Sequence, residues 1–188
     1  MNKLIVALHG NPGTIDDFEA IFRRLKLDKN ANTIIHHRPS AGADLHWLVR
    51  DIEHTVERQS ASEITLVAYS WGCYLACHWL SISKFKIKRL IFISPTIVAE
   101  NPVSLLAAAI TRLPLMGSLI LKKIARKKSP EFIAKSFYPL KPSPEDYAIL
   151  YNDLNNPDIW KGAIRYKRQQ QRFGIDGLRL PAGIDTLI

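Results

Sequence analysis

Apolar runs of strand length alternate with helical patterns through the first hundred residues of the chain. Continuous apolar runs bounded by turn residues predict strands, and apolar residues at helical spacing predict the helices between them. The predicted strands are 3–9, 32–37, 64–69 and 89–93, and the predicted helices are 14–26, 44–58 and 70–82. Because parallel neighbouring strands need crossover helices, this order predicts an α/β fold, with a mostly parallel sheet flanked by helices.

The alternation stops after residue 100. No strand is predicted from about 101 to 173. This region instead contains four predicted helices, 103–110, 115–128, 130–136 and 144–152. The chain then approaches a further strand that begins near Ile184. We therefore expect a core formed by 1–100, a helical insertion over 101–173, and a return to the core over 174–188. The sheet is expected to be incomplete at its C-terminal edge.

The strongest motif is Ala68-Tyr69-Ser70-Trp71-Gly72, which lies between the third predicted strand and the helix that follows it. It has the form of a G-x-S-x-G turn with alanine in the first small position. A serine at such a turn takes a strained backbone conformation, and its small neighbours allow adjacent chains to pack closely. Its hydroxyl then projects above the sheet at a helix N-terminus, where developing negative charge is stabilised. The alternative is an ordinary strand-to-helix turn with Ser70 as N-cap.

A second motif, His9-Gly10-Asn11-Pro12-Gly13, follows the first predicted strand directly. A loop rich in glycine and proline at this place suits an oxyanion hole, which takes one backbone N–H from the loop and one from the residue after the nucleophile. Because Pro12 has no N–H, Asn11 and Trp71 are the best donor candidates. The alternative is a simple turn that ends the strand.

With these two motifs the chain resembles the α/β-hydrolase fold superfamily, specifically members with an HGxPG loop, a serine nucleophile elbow and a helical cap. The resemblance implies that strands 3–9, 32–37 and 64–69 are neighbours, and that the insertion after residue 100 is a cap covering the nucleophile. Because the residue at the nucleophile position is serine, the chain resembles the esterase, lipase, thioesterase and peptidase branches of the superfamily. Haloalkane dehalogenases and epoxide hydrolases carry aspartate at that position.

The resemblance also implies roles for individual residues. Ser70 is the catalytic nucleophile, and the amides of Asn11 and Trp71 form the oxyanion hole. The structural residues of the two motifs are His9, Gly10, Pro12, Gly13, Ala68 and Gly72.

The chain departs from the family pattern at the acid and the base. The family places its acid after the strand that here begins near Ile184, and its histidine after one further strand, so we expect both to be missing and the chain to be C-terminally truncated. His78 lies about 12 Å from Ser70 along the helix axis and cannot serve as the base. Other side chains considered and set aside as core, loop or surface residues are His9, His36, His37, His46, His54, Glu100, Asp176 and Asp185.

The composition excludes several classes of protein. With 47% apolar and 23% charged residues, the chain is not a disordered tail, a collagen-like fibre or a coiled coil. No apolar run reaches the ~18 residues of a membrane span, and the N-terminus shows no signal peptide. The two cysteines, Cys73 and Cys77, form no disulfide framework and predict a reducing, cytoplasmic location. They lack further soft ligands, so no metal site is predicted. A serine hydrolase of this kind implies no organic cofactor.

The positive charge is concentrated in the second half of the chain. Residues 1–83 have a net charge of −1 and residues 84–188 a net charge of +10, in clusters at 84–89, 122–128 and 161–172. Because aromatic interleaving and a DNA-reading motif are lacking, no specific nucleic-acid partner is predicted, and the clusters are interpreted as a basic solvated surface. The apolar stretch 103–121 could face a membrane surface. A helix lying on the core with a basic outer edge is the favoured interpretation.

Two functions follow from these observations. The first is a lipase-like serine hydrolase acting on a carboxylic ester or related small acyl substrate, with its acid and histidine supplied by sequence beyond this chain. The second is a catalytically inactive remnant that binds a ligand or a partner. In both cases an unfinished sheet edge favours self-association.

Overall fold

A computed structural model describes residues 3–10, 18, 22, 44–96, 104–137, 139–173 and 184–187. Among these residues the strands are β1 (Lys3–Leu8), β2 (Glu63–Tyr69), β3 (Ile87–Ile93) and β4 (Asp185–Leu187). They form one sheet in the order β1–β2–β3–β4, and every pair is parallel. The predicted α/β class is confirmed, as is the neighbouring position of the strands that precede the two motifs. The predicted strand 32–37 lies outside the described residues.

Strands β1 and β2 are largely buried on both faces, which explains why they read as apolar runs. On one face Ala7 and Val67 pack with Phe18 and Phe22, two residues of helical conformation. Because side chains alternate along a strand, Leu4, Val6 and Leu8 point to the opposite face, and all three are buried. The remainder of the predicted helix 14–26 lies outside the described residues.

Two helices accompany the sheet: α1 (Leu45–Arg58) and α2 (Trp71–Ile82). The Asp44 side chain caps α1 by accepting the N–H of Trp47 at 2.7 Å. The predicted apolar ridge of α1 is buried throughout: Leu45, Leu48, Val49, Ile52 and Val56. The indole N–H of Trp79 in α2 donates to a carboxylate oxygen of Glu53 in α1 at 2.6 Å and ties the two helices together.

Four further helices follow: α3 (Leu105–Ile110), α4 (Pro114–Phe137), α5 (Pro144–Leu154) and α6 (Pro157–Phe173). The prediction of separate helices over 115–128 and 130–136 is wrong, because α4 continues through Pro130. Proline removes one backbone hydrogen bond but does not end this helix, since Ser129 and Ile133 on its inner side are buried on either side of Pro130. The hydroxyl of Ser129 also donates to the carbonyl of Ala125 at 2.7 Å.

The sequence does not predict α6, because its many basic and glutamine residues indicate only a charged cluster. Its buried residues include Ile159, Tyr166 and Gln170.

The described residues divide into two compact units. One comprises those up to 96 together with 169–173 and 184–187, and the other comprises 104–168. The described helices include no stretch with the length and hydrophobicity that a membrane span requires.

Candidate active site

Ser70 occupies the sharp turn between β2 and α2. Its φ of 52° and ψ of −119° lie in a region that residues with a side chain rarely adopt. The residue stands in the N-cap position, yet its side chain caps nothing. An ordinary capping serine has an extended backbone and accepts an N–H from the first helical turn. Ser70 has neither property, so the N-cap alternative does not describe this turn, and the partly exposed hydroxyl is not engaged by α2.

The small residues of the motif allow the chain to make this turn. A Cβ on Gly72 would overlap the carbonyl oxygen of Leu8 and crowd that of His9, so only glycine fits where α2 passes the end of β1. Ala68 is fully buried, and its carbonyl accepts the thiol of Cys73 at 3.3 Å. The expected close packing around the serine is therefore present on both sides.

The end of β3 holds the turn in place. The N–H of Ser70 donates to the carbonyl of Ile93 at 2.9 Å, and the N–H of Thr96 donates to the carbonyl of Ser70 at 3.2 Å. The hydroxyls of Ser70 and Thr96 are 3.5 Å apart. The buried side chain of Gln170 in turn donates to the carbonyl of Thr96 at 3.3 Å.

Thr96 and Gln170 are residues of this site that sequence reasoning missed. A signal for Thr96 was present, because Ser94-Pro95-Thr96 follows the fourth predicted strand. The carboxyl ends of parallel strands meet at one edge of a sheet, which places this segment beside Ser70. For Gln170, which lies 74 residues from its partner, the sequence offers no signal.

The loop after β1 also reaches the turn. His9 is buried, and its Nδ1 donates to the carbonyl of Gly10 at 2.7 Å. A Cβ on Gly10 would lie 3.0 Å from the Cβ of Ser70. The two motifs are thus brought together. Asn11, Pro12 and Gly13 lie outside the described residues, so the loop half of the predicted oxyanion hole does as well.

Trp71 opens α2, and its side chain is buried against Tyr74, with ring centroids 6.3 Å apart. The N-terminus of an α-helix carries partial positive charge, so a negative charge that develops at the Ser70 hydroxyl lies in a favourable field.

The cysteines behind the turn are core residues. Burial raises the pKa of Cys73 to about 12 and that of Cys77 to about 11. Because the thiolate is the nucleophilic form, neither is activated at neutral pH. Burial also lowers the pKa of His78, with the nearby His46 adding to the effect, and the imidazole packs edge-on against the ring of Tyr74.

Within the described part of the chain, the side-chain partner of Ser70 is Thr96, and no histidine or carboxylate hydrogen-bonds its hydroxyl. The described residues also contain no cluster of three or more potential metal ligands. Four of the set-aside candidates lie outside the described residues: His36, His37, Glu100 and Asp176. Asp185 is part of β4.

Comparisons with known proteins agree with this architecture. The chain matches the model of the alpha/beta hydrolase family over residues 5–183. No curated protein matches it. Among solved structures it is similar to a haloalkane dehalogenase from Agrobacterium tumefaciens C58, with 20% identity and a TM-score of 0.63 over 94% of this chain and 65% of that one.

Two further solved structures are similar. A probable hydrolytic enzyme from Pseudomonas aeruginosa PAO1 has 14% identity and a TM-score of 0.68 over 95% of this chain and 62% of that one. An esterase from Exiguobacterium antarcticum has 19% identity and a TM-score of 0.68 over 99% of this chain and 72% of that one. The chain thus spans about two thirds of the length of the structures it matches. At these identities the likeness shows the fold.

Proposed function

The chain belongs to the alpha/beta hydrolase family, and we propose that it is a serine hydrolase acting on a carboxylic ester or a related acyl compound, with Ser70 as its nucleophile. The observation that carries the proposal is the conformation of Ser70. A strained φ of 52° is maintained by Gly72, Ile93 and Thr96, and it leaves the hydroxyl uncapped and partly exposed. Backbone strain of this kind persists where the surrounding structure enforces it, typically at functional sites.

In the proposed reaction, the Ser70 oxygen attacks the carbonyl carbon of the substrate and its proton passes to a base. The negative charge on the former carbonyl oxygen is stabilised by the amides of Trp71 and Asn11. The tetrahedral intermediate then expels the alcohol, which takes up the proton, and an acyl-enzyme remains. Water, activated by the same base, releases the carboxylic acid and regenerates the serine.

The base and the carboxylate that orients it are proposed to come from outside the described residues, because within them Ser70 contacts Thr96 rather than an imidazole. The same observation favours a second candidate function, a catalytically inactive member of the family that binds a ligand or partner. Without a base, a serine hydroxyl is a poor nucleophile, although oxyanion stabilisation alone retains some catalysis.

A fluorophosphonate probe distinguishes the two functions, since it phosphonylates activated serines. The wild-type protein, Ser70→Ala and the matched control Ser60→Ala are treated with the probe, and their hydrolysis of p-nitrophenyl butyrate is followed. Ser60 is a suitable control because it is exposed and also has a positive φ, 48°.

The proposal expects labelling and ester turnover in wild type and Ser60→Ala, and neither in Ser70→Ala. Folded wild-type protein that is neither labelled nor active would instead support the inactive, ligand-binding function. Labelling that persists in Ser70→Ala would show that another residue is the nucleophile.

A further inference from the structure

Several large apolar side chains are exposed at the corner between α3 and α4. Gly117 packs against the carbonyl of Ile110, and its N–H donates to the carbonyl of Leu113 at 3.1 Å, which folds the two helices tightly together. The exposed side chains around this turn, called here the apolar corner, are Leu105 (87%), Leu115 (83%), Leu106 (71%), Leu119 (69%), Met116 (65%) and Leu113 (45%). Single exposed leucines are ordinary, but six exposed large apolar side chains between residues 105 and 119 indicate an interaction surface.

The apolar corner is not the inner face of α4. The inner face is the row of buried positions spaced four residues apart, which comprises Gly117, Leu121, Ala125, Ser129 and Ile133. Leu115, Met116 and Leu119 lie on the other side of the helix. Helix α4 therefore has its own buried ridge, and the exposed apolar residues are additional to it.

Basic residues continue the exposed stripe along α4. One side of the helix presents residues at helical spacing, namely Leu115, Leu119, Lys122 and Arg126. Along the helix axis, Lys122 lies only about 4.5 Å from Leu119. The exposed basic residues, called here the basic belt, are Lys122, Lys123, Arg126, Lys127 and Lys128. No Asp or Glu occurs between Glu100 and Glu131. Glu131 interacts electrostatically with Lys128, but its salt bridge is with Lys135.

We propose that the apolar corner and the basic belt together bind the surface of an anionic phospholipid bilayer. The leucines would enter the boundary between headgroups and acyl chains, and the lysine and arginine side chains would remain at the level of the phosphates. A bilayer surface presents an apolar layer beneath an anionic one, which matches the chemistry of the two parts of this surface. A second copy of the chain fits less well, because it carries the same belt and a net charge of +9.

The test is flotation of the full chain with vesicles of phosphatidylcholine alone or with about 30% phosphatidylserine. We expect binding to the anionic vesicles only, and a marked decrease at high salt. Two variants probe the two parts of the surface: Leu115→Glu with Leu119→Glu, and Lys122→Gln with Lys123→Gln and Arg126→Gln. Each should lower the partition coefficient by about tenfold or more.

Matched controls carry the same changes elsewhere. Ile82→Glu with Leu140→Glu introduces two acids at exposed apolar residues outside the apolar corner, and Arg50→Gln with Lys86→Gln and Arg89→Gln removes the same charge from exposed positions outside α4. Both controls should bind as wild type does. Circular dichroism of every variant verifies folding, and vesicle binding requires no catalytic activity, so the result is independent of the role of Ser70.

Three outcomes would overturn the proposal. One is absence of binding to anionic vesicles by folded wild-type protein. Another is an equal loss of binding in the charge variant and its control, which would indicate attraction by net charge alone. The third combines two observations: the protein does not bind vesicles, and it forms concentration-dependent dimers that Leu115→Glu with Leu119→Glu abolishes. This result would identify the apolar corner as a contact between copies of the chain.

Discussion

Gly10 lies directly against Ser70, so that a Cβ at residue 10 would be only 3.0 Å from the Cβ of the serine. The two residues belong to different turns, one after β1 and one after β2, and parallel pairing of Leu8 with Ala68 brings the turns to the same edge of the sheet. The glycine thus leaves space for the serine side chain. Its substitution tests whether the contact matters for reactivity.

Gly10→Ala should slow fluorophosphonate labelling of Ser70. The added methyl would also lie 3.1 Å from the ring of Tyr69, so the ring or the serine must shift by a few tenths of an ångström. Small displacements of reacting groups are costly, and we expect the second-order labelling rate to fall by about tenfold. Urea denaturation should show a loss of less than ~3 kcal/mol. A variant labelled at the wild-type rate would show that the contact does not position the serine.

Gly72→Ala should be far more damaging than a typical substitution in a helix. Its methyl would overlap backbone atoms of Leu8 and His9, which cannot rotate away as a side chain can. We expect the free energy of unfolding to fall by about 3 kcal/mol or more, measured by urea denaturation. Ser81→Ala, at an exposed position in the same helix, is the control and should change stability by only ~0.5 kcal/mol. Similar stability of the two variants would contradict the close approach of α2 to β1.

Replacing Ser70 by glycine and by alanine measures the strain at the turn. Both variants lack the hydroxyl, so their difference reports the backbone alone. Because φ is 52° at this residue, Ser70→Gly should be more stable than Ser70→Ala by about 1 kcal/mol. At Ser81, inside α2, the order should reverse by a similar amount, since glycine is unfavourable in a helix. If alanine at residue 70 were as stable as glycine, the strained conformation would be wrong.

The parts of the fold that were predicted correctly are those encoded by local patterns. Residues close in sequence predict the buried ridge of α1. They also predict the strand, turn and helix around Ser70. The path of α4 through Pro130 depends on burial of Ser129 and Ile133, which local propensity does not report. Thr96 joins the site only through the pairing of β2 with β3, where Tyr69 lies opposite Ile93. Contacts of this kind arise from the sheet and not from a motif.

The thiols of Cys73 and Cys77 should be inert in the native protein. Burial raises their pKa values to about 12 and about 11, so at pH 8 roughly one thiol in a thousand or fewer is ionised. Ellman's reagent should therefore react slowly with the folded chain and rapidly with both thiols in denaturant. Reaction of the native protein at the rate of free cysteine would contradict the burial.

The same pKa shifts predict an alkaline loss of stability. The folded-state pKa of each thiol lies above its ordinary value of 9.0, so the folded chain holds these protons more tightly than the unfolded chain does. The resulting stabilisation is complete below pH 9 and is lost as the pH rises through 11 and 12. Urea denaturation should show the free energy of unfolding falling above pH 9, and less steeply in the variant Cys73→Ala with Cys77→Ala. The slope that remains should reflect Tyr74, whose pKa burial raises to about 12. An unchanged slope in that variant would show that the thiols are not the titrating groups.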